Sequence, residues 1–288
     1  MKTCVTTYSF RQYIVEKKCD YFEVIDKAVE MGFEGIEFVD LDDGMWGEHV
    51  PTDLVALGKK INEYCKEKGI AVVSYTVGGD LINKEAREEV ERLKNCVLVA
   101  EALGAGVMRH DVTFALPNEP LYNYKKAIEV SAPLVREISL FAKERGVKTS
   151  IENHGYIFQA PERVEELIQA VNCDNYGWMV DIGNFMCADC ESASSVAIAT
   201  PYAFHVHAKD FLFKSGECEQ PEGFFVTAGG NYLRGTVLGH GVVPVATCVK
   251  RLKAKGYDGY ISVEFEGKEN VLWAISAGLA YLKKIIEK

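Results

Sequence analysis

The chain has 288 residues, 48% of them apolar, and a formal net charge of −10. That acidic balance, with no Lys/Arg run longer than two, disfavours tight binding to a nucleic-acid backbone. No stretch approaches the roughly 18 consecutive apolar residues of a membrane-spanning helix, and Met1-Lys-Thr-Cys-Val-Thr-Thr7 leads straight into a strand, so a soluble, cytoplasmic protein without a membrane partner is expected. The nine cysteines are scattered and odd in number, which argues against a disulfide framework. Cys187-Ala-Asp-Cys190 has C-x-x-C spacing but stands without a second pair, and reads as two small residues in a loop.

Cys4 to Ser9 is a β-branched and aromatic run, a first strand. Tyr21 to Met31 carries Phe22, Ile25, Ala28 and Val29 at helical spacing and is stopped by Gly32. Gly35 to Val39 is the second strand, Asp40 to Val50 a polar loop, and Pro51-Thr-Asp53 opens a helix through Lys68. Ile70 to Val77 is the third strand, and Lys84 to Leu103 a helix with Val90, Leu93, Val97 and Ala100 on one side. Gly106 to Arg109 is the fourth strand, followed by a long helix from Pro120 to Arg145 that Pro133 is expected to bend. The fifth strand, from Lys148, ends at Glu152, and Pro161 opens a helix at its first turn, where proline fits. The sixth strand runs from Tyr176 to Asp181, with a short helix from Ser192 to Ala199. The seventh strand ends at His207, a helix spans Val242 to Lys255, the eighth strand ends near Glu264, and Glu269 to Ile286 is the last helix.

Eight alternations of strand and helix imply a parallel sheet. No Gly-x-Gly-x-x-Gly turn follows the first strand, which favours a closed (β/α)8 TIM barrel over a dinucleotide-binding sheet. The whole chain, residues 1–288, reads as a single such α/β domain. Phe211 to His240 is the one long irregular insertion; with Phe224, Phe225, Tyr232 and Arg234 it is expected to form part of a substrate wall.

Four runs turn polar only where they end: Lys148 to His154, Tyr176 to Asp181, Ala203 to Asp210 and Tyr260 to Glu266. A barrel brings such ends to one rim, where an imidazole and three carboxylates make a divalent-metal site. Oxygen ligands plus one imidazole suit magnesium, manganese, cobalt or zinc, and without a thiolate the site is not a structural zinc site. His205 and His207 share a side of their strand, and His205 reads as a core histidine bonded to backbone. Glu264 and Glu266 also share a side, so only one needs to be a ligand.

Ile151-Glu-Asn-His154, Val180-Asp-Ile-Gly183, His205-Val-His-Ala-Lys-Asp210, Leu238-Gly-His-Gly241 and Val263-Glu264 together resemble the xylose isomerase-like TIM barrel superfamily. That superfamily holds sugar isomerases, ketose 3-epimerases, inosose dehydratases and type IV apurinic endonucleases. The resemblance implies one divalent ion held by Glu152, Asp181, His207 and Glu264, with Glu152 and Glu264 also the acid/base pair. An ion that chelates a carbonyl and a neighbouring hydroxyl acidifies the C–H between them, and carboxylates then remove and return the proton through an enediolate.

Two positions depart from the ketose epimerases. Their substrate-holding histidine three residues after the aspartate is Asn184 here, which keeps hydrogen bonding, and their arginine after the seventh strand is replaced by Phe211-Leu-Phe213. Both count against strict 3-epimerase activity. Arg109, His110 and Asp111 form a charged cluster that either grips a substrate carboxylate or phosphate or makes a salt-bridged rim. His154 reads as a substrate contact, with a second acid/base or an outer partner of the metal as alternatives; Lys209 donates to a substrate oxygen or pairs with Asp210. An endonuclease needs three metals and a histidine-rich ligand set, which six histidines and Asn184 do not provide. A barrel without activity would have a degraded metal set, whereas all four positions are present. The expected function is a metal-dependent sugar, polyol or keto-sugar isomerase or epimerase, with a lyase or dehydratase on a keto-sugar or inosose as the alternative. Its expected partner is a small carbohydrate, with no nucleic acid and with a homo-oligomer left open.

Overall fold

The computed structural model describes residues 1–288. The chain opens with β1 (Lys2–Thr6), a 3₁₀ turn over Thr7–Phe10 and a short helix α1 (Arg11–Lys17). α2 (Tyr21–Met31) starts at a capping box, in which the Asp20 carboxylate accepts from the N–H of Glu23 and Glu23 accepts from the N–H of Asp20. Next come β2 (Gly35–Val39), α3 (Leu54–Lys68), β3 (Ala71–Val77), α4 (Ala86–Leu103) and β4 (Val107–His110). α5 (Tyr124–Lys143) is continuous across Pro133 and leads to β5 (Lys148–Glu152), α6 (Pro161–Val171) and β6 (Tyr176–Asp181). α7 (Ser192–Ala199), β7 (Ala203–Ala208), β8 (Asp210–Lys214), β9 (Phe225–Val226) and β10 (Tyr232–Thr236) follow, then α8 (Val245–Ala254), β11 (Tyr260–Val263) and α9 (Val271–Ile286).

Eight strands close in the order β1-β11-β7-β6-β5-β4-β3-β2, every neighbouring pair parallel, so the fold is a (β/α)8 TIM barrel. Two expectations are corrected. The first strand stops at Thr6, and α1, too short to show a helical period, lies between it and α2. The insertion after the seventh strand is only in part irregular: within it β8, β10 and β9 form a three-stranded antiparallel sheet, with Thr236 opposite Asp210 and Tyr232 opposite Lys214 and Val226. Its strands lack an alternating apolar pattern because the sheet is a flap at the mouth with little buried face.

Alternate residues of each barrel strand face opposite ways, and here the two faces differ in kind. Val5, Ile36, Phe38, Ile151, Trp178, Val180, Val206 and Ile261 belong to the continuous apolar core that also includes Val24, Ile61, Leu93, Val135, Leu167 and Leu279 of the helices. Fully burying one such side chain stabilises the fold by about 1.5–3 kcal/mol. Residues between them in the strands, among them Glu37, Ser74, Thr76, Ser150, His205 and Ser262, are buried and polar. Gly177 on β6 leaves space for a neighbouring aromatic, since a Cβ there would lie 2.7 Å from the Phe204 ring.

The corner between β3 and α4 is held by one buried acid. Glu89 accepts the N–H of Asp80 (2.9 Å) and pairs with Arg92 (2.8 Å), which also donates to the carbonyl of Gly78 (2.6 Å). Burial alone would raise the Glu89 carboxyl, but Arg92 and the Asp80 N–H outweigh it and hold it at about 2, against 4.5 for an ordinary glutamate. Because the folded value lies below the unfolded one, the stabilisation is complete above pH 4.5 and is lost as pH falls through about 2. Glu89→Gln is therefore expected to cost about 1–3 kcal/mol at neutral pH and to flatten the acid limb of stability against pH in urea unfolding; an unchanged acid limb refutes the assignment.

Candidate metal centre and the cleft above it

Glu152 and Asp181 are the last residues of β5 and β6, His207 is the penultimate residue of β7, and Glu264 directly follows β11. One ligand atom from each of the four lies within 4.8 Å of the others. His207 Nδ1 is 3.4 Å from Glu152 Oε1 and 3.3 Å from Glu264 Oε2. His207 Nδ1, Asp181 Oδ2 and Glu264 Oε2 are buried and make no hydrogen bond of acceptable geometry. Lys209 Nζ lies 2.9 and 3.2 Å from the two carboxylate oxygens, and three buried polar atoms without a well-formed hydrogen bond still converge on one point, which fits a cation. The donor set of carboxylates and one imidazole fits magnesium, manganese, cobalt or zinc.

Glu37, midway along β2, orients this cluster, and the sequence reading passed it over. His207 Nε2 donates to both Glu37 oxygens (2.9 and 3.0 Å), which leaves Nδ1 of the same ring free to face the acids. Such a carboxylate partner fixes the tautomer of a metal-binding histidine. Glu37 also accepts from Thr76 Oγ1 (2.8 Å), Ser262 Oγ (3.0 Å) and His205 Nε2 (2.9 Å). Burial opposes its charge, but the two imidazoles and these donors hold its carboxyl well below the usual range. His205 is thus a core histidine, but it bonds to side chains and not to backbone. A lone carboxylate inside the apolar run Gly35-Ile-Glu-Phe-Val39 was the signal available, because an unpartnered charge there is prohibitive.

Each acid is oriented by its neighbours. Asp181 Oδ1 accepts the N–H groups of Gly183 (2.7 Å) and Asn184 (2.9 Å), which turns Oδ2 toward the cluster. Burial pushes the Asp181 carboxyl up to about 8, only partly offset by Lys209. Glu152 is held at about 2, since the charges of Arg109 and His207 overcome its burial. Asn184 Nδ2 donates to Glu152 Oε1 (3.2 Å), so Asn184 touches an acid of the cluster. Asn153 staples β5 to β6: its Oδ1 accepts from Trp178 Nε1 and the Asp181 N–H (3.0 Å each), and its Nδ2 donates to the Asp181 carbonyl (2.8 Å).

Lys209 does not pair with Asp210. Its ammonium lies 2.9 Å from Glu264 Oε2 and 3.2 Å from both Asp181 Oδ2 and Glu266 Oε1. Asp210 instead accepts the N–H groups of Gly239 and Gly241 (2.9 Å each) and Val243 (3.0 Å), anchoring the loop beyond β10. Gly241 is required there, since a Cβ would sit 2.2 Å from Asp210 Oδ1.

Arg109 Nη2 lies 2.7 Å from Asp111 Oδ1, 3.0 Å from Glu152 Oε2 and 3.0 Å from His154 Nδ1, so its guanidinium is held in ion pairs in this structure. His110 is corrected. It points to the other face of β4, is fully buried with Nδ1 against the Asp111 carbonyl (3.0 Å), and does not line the cleft. His154 does line it, edge-on to Phe114 with ring centroids 5.4 Å apart. Cys187 and Cys190 are free thiols; burial pushes that of Cys187 up to about 12.

Above the cluster is a cleft of about 240 Å³, reached by Tyr8, Asp40, Asp43, His154, Lys209 and Glu266. A second compartment of about 420 Å³ shares Phe114, His154, Lys209 and Glu266 with it and is walled by Tyr156, Phe211 and Phe225. The flap therefore contributes Phe211 and Phe225 to the wall; Phe224 instead carries the guanidinium of Arg234 over its ring at 5.4 Å. No helix is long and apolar enough to cross a membrane.

Chelator-stripped protein is expected to take up one divalent ion per chain and to release protons as it does so. His207 is held well above an ordinary histidine by Glu37, Glu264 and Glu152 despite its burial, and the cation and that proton compete for it. A ligand at about 100 times its dissociation constant stabilises a fold by about 2.7 kcal/mol, so thermal melting should rise with added manganese or zinc and stay flat in Asp181→Asn. A wild-type melting curve indifferent to divalent ions would remove the metal centre.

A family model described as xylose isomerase-like TIM barrel matches residues 25–285. No curated protein matches the sequence significantly. Among solved structures, the chain is similar to the IOLI protein with a binding zinc atom at 18% identity, covering 100% of this chain and 98% of that one with a TM-score of 0.76. It is similar to the probable 3-DHS dehydratase AsbF of Bacillus anthracis at 17% identity, covering 98% and 99% with a TM-score of 0.74. It is also similar to D-psicose 3-epimerase of Clostridium cellulolyticum H10, solved with D-tagatose, at 16% identity, covering 99% of each chain with a TM-score of 0.74. At such identities these likenesses carry the fold and not the reaction. The family model spans nearly all of the barrel, and the chain belongs to the xylose isomerase-like TIM barrel family.

Proposed function

We propose that the chain is a divalent-metal-dependent isomerase or epimerase of a sugar, polyol or keto-sugar, with Glu152 and Glu264 moving the proton. The observation that carries this reading is that both carboxylates reach the same nitrogen of His207, at 3.4 and 3.3 Å, from strands that β6 and β7 separate around the barrel. Two carboxylates entering one site from different directions can serve as base and acid on one carbon. Glu152, Asp181, His207 and Glu264 would hold the ion. When bound, it supplies a Lewis acid that makes the C–H between a carbonyl and a hydroxyl acidic.

The chain's own groups do the rest. One glutamate removes the proton from that carbon, and the other returns a proton, either to the same carbon or to its neighbour. Arg109 and Asn184 hold Glu152 in place through contacts of 3.0 and 3.2 Å. Lys209 sits 2.9 Å from Glu264 and lines the cleft with His154, so both are placed to donate to substrate oxygens. Restoration of the proton on the opposite side of the carbon gives epimerisation, and at the adjacent carbon aldose–ketose isomerisation.

A second reading uses the same groups for dehydration of a keto-sugar or inosose. Loss of a neighbouring hydroxyl after proton removal needs only a base and an acid, and Glu152 and Glu264, both facing His207 Nδ1, supply that pair. Product mass separates the two, since a dehydratase product is lighter by one water.

Incubation with a panel of ketoses, aldoses and inososes in D2O should give carbon-bound deuterium in at least one. Glu152→Gln and Glu264→Gln should each lower the exchange by about 10²–10⁴-fold with circular dichroism unchanged. Exchange persisting near the wild-type rate in either folded variant refutes the proton-transfer assignment.

A further inference from the structure

The charges at the mouth say what the far end of the substrate carries. Two fixed cations line the cleft, Arg109 and Lys209, and both are engaged. Arg109 lies against Asp111, Glu152 and His154, and donates to the Val77 carbonyl (3.3 Å). Lys209 is shared among Asp181, Glu264 and Glu266. At the edge of the mouth, Arg11 is taken by Asp43 at 3.0 Å. The lining carboxylates are Asp40, Asp43, Asp111, Glu152, Glu264 and Glu266. With a divalent ion among the inner acids, and with Asp43 paired to Arg11 and Asp111 to Arg109, Asp40 is the carboxylate on that side left without a cation.

Two of these acids have acceptor capacity that the protein does not use. Asp111 is 96% buried by its 4% exposure, and its Oδ2 has no hydrogen-bond partner. Asp40 takes part in hydrogen bonds only through its backbone, to Thr76, Asp43 and Trp46, and its φ of 28° lies in the left-handed region that non-glycine residues avoid. Burial and the nearby Asp42 push the Asp40 carboxyl up to about 6, so this corner already disfavours negative charge. The other side of the mouth is aromatic: Phe114, Tyr156 and Phe225 are 50%, 47% and 38% exposed and line the adjoining compartment.

We infer that the cleft takes an uncharged polyhydroxy carbonyl compound, and that the end of the substrate remote from the metal centre bears hydroxyls and not a phosphate or carboxylate. This rests on the proton-transfer reading for which end reacts. Hydroxyl hydrogens match the unused oxygens of Asp111 and Asp40, and the C–H face of the chain lies against the aromatic side. A terminal phosphate at that remote end brings no donor to those oxygens and adds like charge; of the groups that could meet it, Lys209 sits among the inner acids and His154 already faces Asp111 at 3.4 Å. The alternative in which Arg109 grips a substrate phosphate requires breaking its contacts with Asp111 and Glu152.

Binding to the manganese-loaded protein tests this by titration calorimetry with paired probes: D-fructose and D-fructose 6-phosphate, and the unreactive sorbitol and sorbitol 6-phosphate. The neutral member of each pair should bind at least about tenfold more tightly, the factor for two like charges about 10 Å apart at an effective dielectric constant near 20. Asp40→Asn, whose new side chain tolerates the left-handed backbone, should narrow that gap several-fold. Phosphate esters that bind as tightly as the neutral sugars, or more tightly, overturn the inference. Neutral sugars that bind preferentially, with no member of the panel of ketoses, aldoses and inososes exchanging carbon-bound hydrogen in D2O, uphold it and sink the proton-transfer reading alone.

Discussion

The site depends on a buried carboxylate that is not itself part of the four-residue cluster. Glu37 lies inside the barrel with His205, His207, Ser262 and Thr76 all directed at its two oxygens. A charge in that position survives because four side chains donate to it, and removing any one would leave part of its acceptor capacity unsatisfied. The consequence at the rim is directional. With Nε2 of His207 committed to Glu37, Nδ1 is the nitrogen that meets Glu152 and Glu264.

The same logic repeats outward. Asp181 has one oxygen fixed by two backbone N–H groups and the other left without a hydrogen bond. Glu152 is braced by Arg109 and Asn184, and Glu264 by Lys209. Three acids within reach of one point would repel one another strongly in a low-dielectric interior, so the protein balances them with an imidazole, a guanidinium and an ammonium. The apolar core lies between the barrel wall and the helices and stabilises the fold from outside the ring. The polar interior is then free to carry charge, an arrangement that favours a preorganised site over maximal packing.

Above the cluster the two walls of the mouth differ. The β1 and β2 side presents Tyr8, Asp40 and Asp43, and the flap side presents Phe211 and Phe225. The flap is tied down at its base by Asp210, which collects the N–H groups of the loop leaving β10. A residue adjacent to the site in sequence thus shapes the wall, while Lys209 beside it faces the acids. Alternation along a short extended segment separates those two duties.

Much of the fold was legible in the sequence because periodicity and helix stops are local. Strands ending at Glu152 and Asp181, and helices bounded by Gly32, Pro161 and Gly69, follow from residue order alone, and eight alternations define the barrel. The type and order of the strand-end residues could be read too. Their distances could not, since nothing local relates Glu152 to Glu264. The role of Glu37, the pairing of Lys209 with Glu264 in place of Asp210, the turning away of His110 and the antiparallel flap were settled only by the closed ring. Each depends on which side chains from distant strands share an interior, and on desolvation forcing every buried charge among them to find a partner.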